Sequence, residues 1–280
     1  MSTEMTRLAP AQPSSAPFDA VAEQYDDLFT SSLIGQAQRT AVWREIKNSF
    51  RPGDRILEIG CGTGVDARFM ADHGIHVLAC DSSTRMLGVA ERRLASTAKY
   101  SSGGPIQLRL LPAEGISMLK KYGPFDGAFS NFGAVNCMKD LPQLANDLAV
   151  LLKPGGTALL CLIGPHCLWE IGWYLFQGKG AKAFRRFHRG GVDARLGDGV
   201  TVHVQYPSVR FMSRMFSPKF RLRTIRGIGV AVPPSYVEPW ASRFPGMVRL
   251  GVRADSILGR CPGTRTLADH VLLKFERLIA

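Results

Sequence analysis

The sequence has no uninterrupted apolar run near the ~20 residues needed to cross a bilayer. The opening stretch, MSTEMTRLAPAQPSSAP, holds no apolar block of the kind a secretory signal requires, and its Pro/Ser/Ala content predicts a disordered tail over 1–17. There is no internal repeat. Six cysteines occur, at 61, 80, 137, 161, 167 and 261, but no Cys-x-x-Cys pair. Without such spacing, the expectation is reduced thiols in a cytoplasmic protein rather than a disulfide or metal framework. CLIGPHC (Cys161–Cys167) sets one His beside one Cys, short of the four ligands of a structural zinc site, so no metal is expected. Acidic residues are scarce in one part of the chain only. Residues 171–280 carry 6 Asp/Glu against 19 Lys/Arg, whereas residues 1–170 carry 17 against 16. The net charge of +12 therefore belongs to the second part. Such a bias can attract an acidic substrate, an anionic membrane or nucleic acid, or simply solvate a surface.

What is present is an alternation of short apolar runs and helical patterns. Phe18–Phe50 shows helical spacing in its second half, at Ala37, Ala41, Val42, Ile46 and Phe50, until Pro52 and Gly53 stop it. Strands are predicted at 55–60, 76–81, 105–113, 125–133 and 157–164. Helices are predicted at 65–74, 83–99 and 140–152. Met86, Leu87, Ala90 and Leu94 share one helical face. A βαβα order with apolar strands implies a parallel sheet covered on both faces. Beyond it, 165–218 is too long for a simple crossover and reads as an insertion. Residues 219–232 are strand-like, 233–246 form a Pro-rich loop leading into a helical stretch, and 268–278 is a closing strand.

The most informative stretch is LEIGCGTGVDA (Leu57–Ala67). Gly60, Gly62 and Gly64 stand at the carboxyl end of the first strand, where open parallel sheets bind ligands. Glycines there permit unusual dihedrals and let a ligand lie against the backbone, while the following helix offers free N–H groups. The dinucleotide fingerprint G-x-G-x-x-G/A is matched imperfectly, because Val65 takes its sixth position. Asp81 ends the second strand, 21 residues after Gly60, where a carboxylate suits two ribose hydroxyls.

LEIGCGTG followed by HVLACDSS resembles the class I S-adenosylmethionine-dependent methyltransferases, and among them the small-molecule enzymes of the ubiquinone/menaquinone-biosynthesis type. The resemblance covers roughly 18–164. It implies a Rossmann-like, doubly wound α/β fold with a mostly parallel seven-stranded sheet and an antiparallel last strand. It implies S-adenosyl-L-methionine as cofactor, with Gly60, Gly62 and Gly64 passing under its methionine and ribose parts. Cys61 lies in the same turn and Glu58 braces it. Asp81 would take the ribose hydroxyls, and Ser82 and Met86 would flank the adenine. LPAEG (Leu111–Gly115) resembles the adenine-edge motif, with Pro112 where relatives place Asp or Asn, so Ala113 and Glu114 are the candidates there. Asn131 and Phe132 would line the reacting centre. Tyr25 would reach the methionine end from a helical cap, and Arg39 would meet the carboxylate. Tyr25 also reads as an ordinary packing residue, and Glu114 as a solvated charge.

No DPPY or NPPY element follows the fourth strand, where SNFG stands. That opposes amino-methylating nucleic-acid enzymes, and nucleic acid is not the expected partner. The insertion's Trp169, Trp173 and Phe176 share a helical face, read either as a lid over an apolar acceptor or as a core patch. His166, just past the fifth strand, is the candidate catalytic base, ahead of His188 and His203. KGAKAFRRFHRGG (Lys179–Gly191) interleaves cations with aromatics, which fits a peripheral membrane contact, RNA binding or a solvated helix. The expected organisation is one methyltransferase domain at 18–280. It divides into a helical cap (18–50), a cofactor-binding core (51–164), a substrate-lid insertion (165–218) and closing strands (219–280). The expected activity is methylation of a small, fairly hydrophobic, aromatic or lipid-like molecule in the cytoplasm. RNA methylation and cofactor binding without methyl transfer are the alternatives.

Overall fold

The computed structural model describes residues 16–97, 103–196 and 199–279. The expected tail therefore lies outside the described residues, apart from Ala16 and Pro17. Pro17–Val21 form a 3₁₀ turn and Asp26–Thr30 a π-type turn before the first long helix, α1 (Leu33–Lys47). Two devices fix the start of α1. Ser32 is the N-cap and accepts the Gly35 N–H at 2.9 Å, and the Leu33 and Ile34 N–H groups donate to the Glu238 carboxylate at 2.8 and 2.9 Å. A carboxylate from 204–205 residues downstream thus satisfies the positive end of the helix.

Next come β1 (Arg55–Ile59), α2 (Val65–Asp72), β2 (His76–Asp81), α3 (Thr84–Thr97) and β3 (Ile106–Leu110). A 3₁₀ segment (Ala113–Tyr122) leads to β4 (Phe125–Ser130), α4 (Leu141–Leu151) and β5 (Leu152–Ile163). The fifth strand begins earlier than the glycines of KPGG suggest. Leu152 already pairs with Phe125, and a register shift absorbs the turn-like residues before Thr157 meets Gly127.

The insertion contains α5 (Leu168–Phe176), α6 (Gly180–Ala183), the hairpin strands β6 (Val192–Leu196) and β7 (Val200–Val204), and α7 (Val209–Phe216). The hairpin was not anticipated, although VTVHV carries the period of two that marks a strand. The chain closes with β8 (Phe220–Ile228), α8 (Glu238–Ala241), α9 (Pro245–Leu258) and β9 (His270–Arg277).

The sheet runs β3-β2-β1-β4-β5-β9-β8, with β6 and β7 forming a separate ribbon. The first five strands are parallel, and β9 is antiparallel to both β5 and β8. This is the doubly wound, mostly parallel seven-stranded sheet with an antiparallel last strand that the sequence implied. Apolar clusters cover both faces. One holds Leu57, Phe125, Leu148 and Phe275, and the other Ile56, Met70, Phe129 and Leu159. Phe216 of α7 stacks on Phe275 at 4.4 Å, and burying a ring of that size contributes about 1.5–3 kcal/mol. A smaller cluster around Ile34, Val232, Ala241 and Val248 fastens α8 and α9 to α1. The strand order reverses between β1 and β4, which opens a crevice at their carboxyl ends.

Candidate active site

Within that crevice the glycine turn is built by sterics. Gly60, Gly62 and Gly64 have φ of 70°, 53° and 74°, the left-handed region that disfavours side chains. A Cβ on Gly60 would stand 2.3 Å from that of Ala134, and one on Gly64 would be 2.9 Å from that of Ala90. These two positions let the loop after β4 and helix α3 close against the turn. Gly62 differs, since a Cβ there would meet nothing within 4 Å. Its bare backbone faces a cavity of about 240 Å³.

Asp81 closes the turn from the tip of β2. Its Oδ2 accepts the Gly62 N–H at 2.8 Å and its Oδ1 accepts the Ser83 N–H at 2.8 Å. Burial raises its pKa, opposed by those two N–H groups. Glu58 lies beneath, buried, with Oε2 unpartnered. Burial holds its carboxyl well above the usual range, the neighbouring Asp66 adds to this, and Arg39 opposes it.

Asp66, in the first turn of α2, organises the other wall. It accepts from Arg39 Nη1 at 2.6 Å, Trp43 Nε1 at 2.7 Å and Asn131 Nδ2 at 2.8 Å. Arg39 lies 5.0 Å from the Phe132 ring centroid and 5.6 Å from that of Phe29. Phe132 itself has φ of 44°, a conformation rare for a bulky residue and concentrated at functional sites. Tyr25 sits close enough to Arg39 to be influenced by it, and burial raises its phenol pKa.

The N-terminal segment is tied across the crevice by two aspartates that sequence reasoning missed. Asp19 accepts from the Ser83 hydroxyl at 2.5 Å and from the Arg85 N–H at 3.2 Å. Asp26 accepts from the Thr63 hydroxyl at 2.8 Å and pairs with Arg93, which also donates to the Thr63 carbonyl at 2.9 Å. The only signal available was their place in an acidic, aromatic stretch ahead of the first helix.

Of the candidate cofactor residues, Tyr25, Gly60, Gly62, Asp81, Ser82, Met86, Ala113, Glu114, Asn131 and Phe132 line the cavity. Glu58, Cys61 and Gly64 support it from behind. Cys61 is buried, and burial raises its thiol pKa, so it packs rather than reacts. The insertion contributes Val202 of β7, and the hairpin packs on the 17–21 turn.

Two expectations are corrected. The shared face of Trp169, Trp173 and Phe176 borders a surface groove with Val230 and Trp240, not the cavity. Trp169 is held there by donating to the Ala231 carbonyl at 3.0 Å. His166 lies against Phe187, with ring centroids 5.1 Å apart, in a separate recess with Pro207 and Val209. His166 is not among the residues that line the cavity. His203 belongs to the exposed hairpin, bound to Asp193 and the Gly190 carbonyl at 2.8 Å each.

A polar network was also missed. Glu170 accepts from Arg185 and Arg186, and Arg186 donates to the Asp269 carboxylate and carbonyl at 2.8 and 2.9 Å. Gln38 donates to Asp269 at 3.1 Å, and His270, beside Asp269, meets Phe132 edge-on at 5.2 Å. The network lies one ring behind the cavity wall.

A family profile described as a methyltransferase domain matches residues 56–156, the stretch from β1 into β5. That stretch is similar to a methyltransferase domain. Among curated relatives, the demethylmenaquinone methyltransferase of Clavibacter sepedonicus is 33% identical over 149 residues, which cover 52% of this chain and 56% of the relative. The malonyl-[acyl-carrier protein] O-methyltransferase of Serratia marcescens is 32% identical over 133 residues, 47% of this chain and 48% of that one. The chain thus matches only about half the length of these curated relatives. The CcbJ methyltransferase of Streptomyces caelestis superposes with a TM-score of 0.60 at 14% identity, covering 95% of this chain and 99% of that one. The doubly wound fold shared with that structure extends beyond the matched stretch through the closing strands.

Proposed function

We propose that the chain is an S-adenosylmethionine-dependent methyltransferase acting on a small, fairly hydrophobic acceptor. The observation that carries this is the open backbone at Gly62 beside a carboxylate, Asp81, at the switch point of a methyltransferase fold. The residues present fit the cofactor. Asp81 keeps acceptor capacity for hydroxyl donors after its two backbone bonds. Met86, Leu111 and Pro112 offer an apolar slot for a flat base. The orphaned Glu58 oxygen and the partly committed Arg39 stand near the far end, one suited to an ammonium and the other to a carboxylate.

When bound, the cofactor supplies an electrophilic methyl group on a sulfonium. The chain's own contribution is to bind, orient and exclude water. Tyr25, Asn131 and Phe132 hold the reacting end, and the tethered 17–30 segment covers it. Such positioning can contribute up to about 7–11 kcal/mol to the rate of a bimolecular step. Phe132, Cys137, Met138 and Val202 make the adjoining wall apolar, which supports an aromatic or lipid-like acceptor. A demethylmenaquinone, the compound in the names of several relatives, is the first acceptor to try. The apolar side chains of Phe184 and Phe187, exposed beside Lys182 and Arg189, support peripheral contact with a membrane that would hold such an acceptor.

The test is calorimetry with S-adenosylhomocysteine. It is followed by incubation with labelled S-adenosylmethionine and either demethylmenaquinone or a cell extract, with mass spectrometry of the products. Binding with label transferred to a small molecule is expected. Absence of any binding heat overturns the reading.

A further inference from the structure

Five of the 19 Lys/Arg of residues 171–280 border one cleft outside the cavity described above. This cleft, of about 410 Å³, lies along β8 and β9. Arg223, Arg226, Arg260, Arg265 and Lys274 border it, with Glu45 as the one bordering carboxylate. Two of these cations are already matched. Arg226 binds Glu45 through Nε and Nη2 at 3.0 and 2.7 Å, and Arg223 binds Glu276 through Nε and Nη2 at 2.8 and 3.0 Å. Arg260, Arg265 and Lys274 make no ion pair among the described residues. The Nε of Arg265 is buried with no hydrogen-bond partner.

Charged side chains on an edge strand commonly serve to block pairing with another sheet. That account covers Arg223 and Arg226 on β8, which is the edge. It does not cover Lys274, on a strand paired on both sides, at the level of Leu159 and Thr224. Nor does it cover Arg260 and Arg265, which follow α9. Three like charges sharing one concavity repel, and a buried guanidinium nitrogen without an acceptor is costly. The repulsion falls when a multivalent anion enters.

We propose that this cleft binds a phosphate-type anion carrying at least two charges, such as a pyrophosphate group. The planar forks of Arg260 and Arg265 match paired phosphate oxygens, and Lys274 adds a point charge on the floor. The cleft shares no bordering residue with the cofactor cavity, so the proposal stands apart from the methyltransferase reading.

The test is titration of the full chain with inorganic pyrophosphate at roughly physiological ionic strength, where a Debye length of about 8 Å screens remote charges. R265Q and K274Q are compared with R243Q, which removes an exposed charge outside the cleft. Pyrophosphate affinity falls about tenfold or more in R265Q and K274Q and is unchanged in R243Q. Thermal melts and S-adenosylhomocysteine binding check that each variant is folded. A second arm measures sedimentation with phosphatidic acid vesicles, whose phosphomonoester headgroup can carry two charges. If the anion is a lipid headgroup, R265Q loses vesicle binding and pyrophosphate competes with it in the wild type. Equal losses in R243Q, or no difference between wild type and R265Q with either probe, overturns the proposal.

Discussion

Glu58 and Asp81 in the crevice are held above the ordinary carboxylate range, whereas Glu170 and Asp269 around Arg186 are held below it. Burial pushes all four upward. At Glu170 the hydrogen bond and charge of Arg185 and Arg186 outweigh it, and at Asp269 the charges of His270 and Arg186 do. Around Glu58 the nearby Asp66 works in the same direction as burial, and Arg39 is shared between them. In the network each carboxylate is matched by a cation of the chain itself. The crevice leaves carboxylate capacity for hydroxyl or ammonium donors from outside the chain. A fold can thus hold one buried cluster for stability and another for binding, distinguishable by whether the charges are satisfied from within.

The strongest way to break this contrast is to open the network. Arg186→Leu strands Glu170 and Asp269 and should cost about 3–5 kcal/mol in urea unfolding. The protein that remains folded should bind S-adenosylhomocysteine as before. If affinity collapses in step with stability, the two clusters are one functional unit. The converse variant, Asp81→Asn, should weaken S-adenosylhomocysteine by roughly 1.5–3 kcal/mol, about 10–150-fold by calorimetry, with little change in unfolding. An unchanged affinity would remove Asp81 from the site.

Glu58→Gln sharpens the comparison through pH. A carboxyl raised on folding binds its proton more tightly in the native state. Its contribution is therefore favourable near and below its unfolded value of about 4.3 and is lost as pH rises through the folded value. The amide should raise the melting temperature of the ligand-free protein at pH 7 by about 2–4 °C, and the gain should vanish near pH 4. Glu170 and Asp269 have the opposite sign. Their stabilisation is present above about pH 4 and lost as pH falls further. The smallest effect is expected from Trp173→Ala on the outer groove. S-adenosylhomocysteine affinity should stay within about twofold, measured by calorimetry. A larger loss would return α5 to the cavity.

Much of the crevice was legible because its signals are local. Glycines at alternate positions, a β-branched strand before them and an acid at the next strand's end all report on backbone geometry within about 25 residues. Ten of the candidate residues accordingly meet around one cavity. His166 and the aromatic face of α5 border other recesses, because their position depends on how the insertion folds back. Asp19, Asp26 and the Glu170–Arg186–Asp269 network could not be read, since each joins segments far apart in sequence.

The strand–helix alternation of the first five strands, the left-handed glycine turn and the basic bias of the second half were determined by the sequence alone, because each follows from dihedral limits, periodicity or composition. Which charges are paired was decided only by the tertiary structure. Glu238 on the first helix, Arg186 between two carboxylates and Lys274 on the floor of a cationic cleft are outcomes of long-range packing. The energy of a charge depends on neighbours and burial that no stretch of sequence contains.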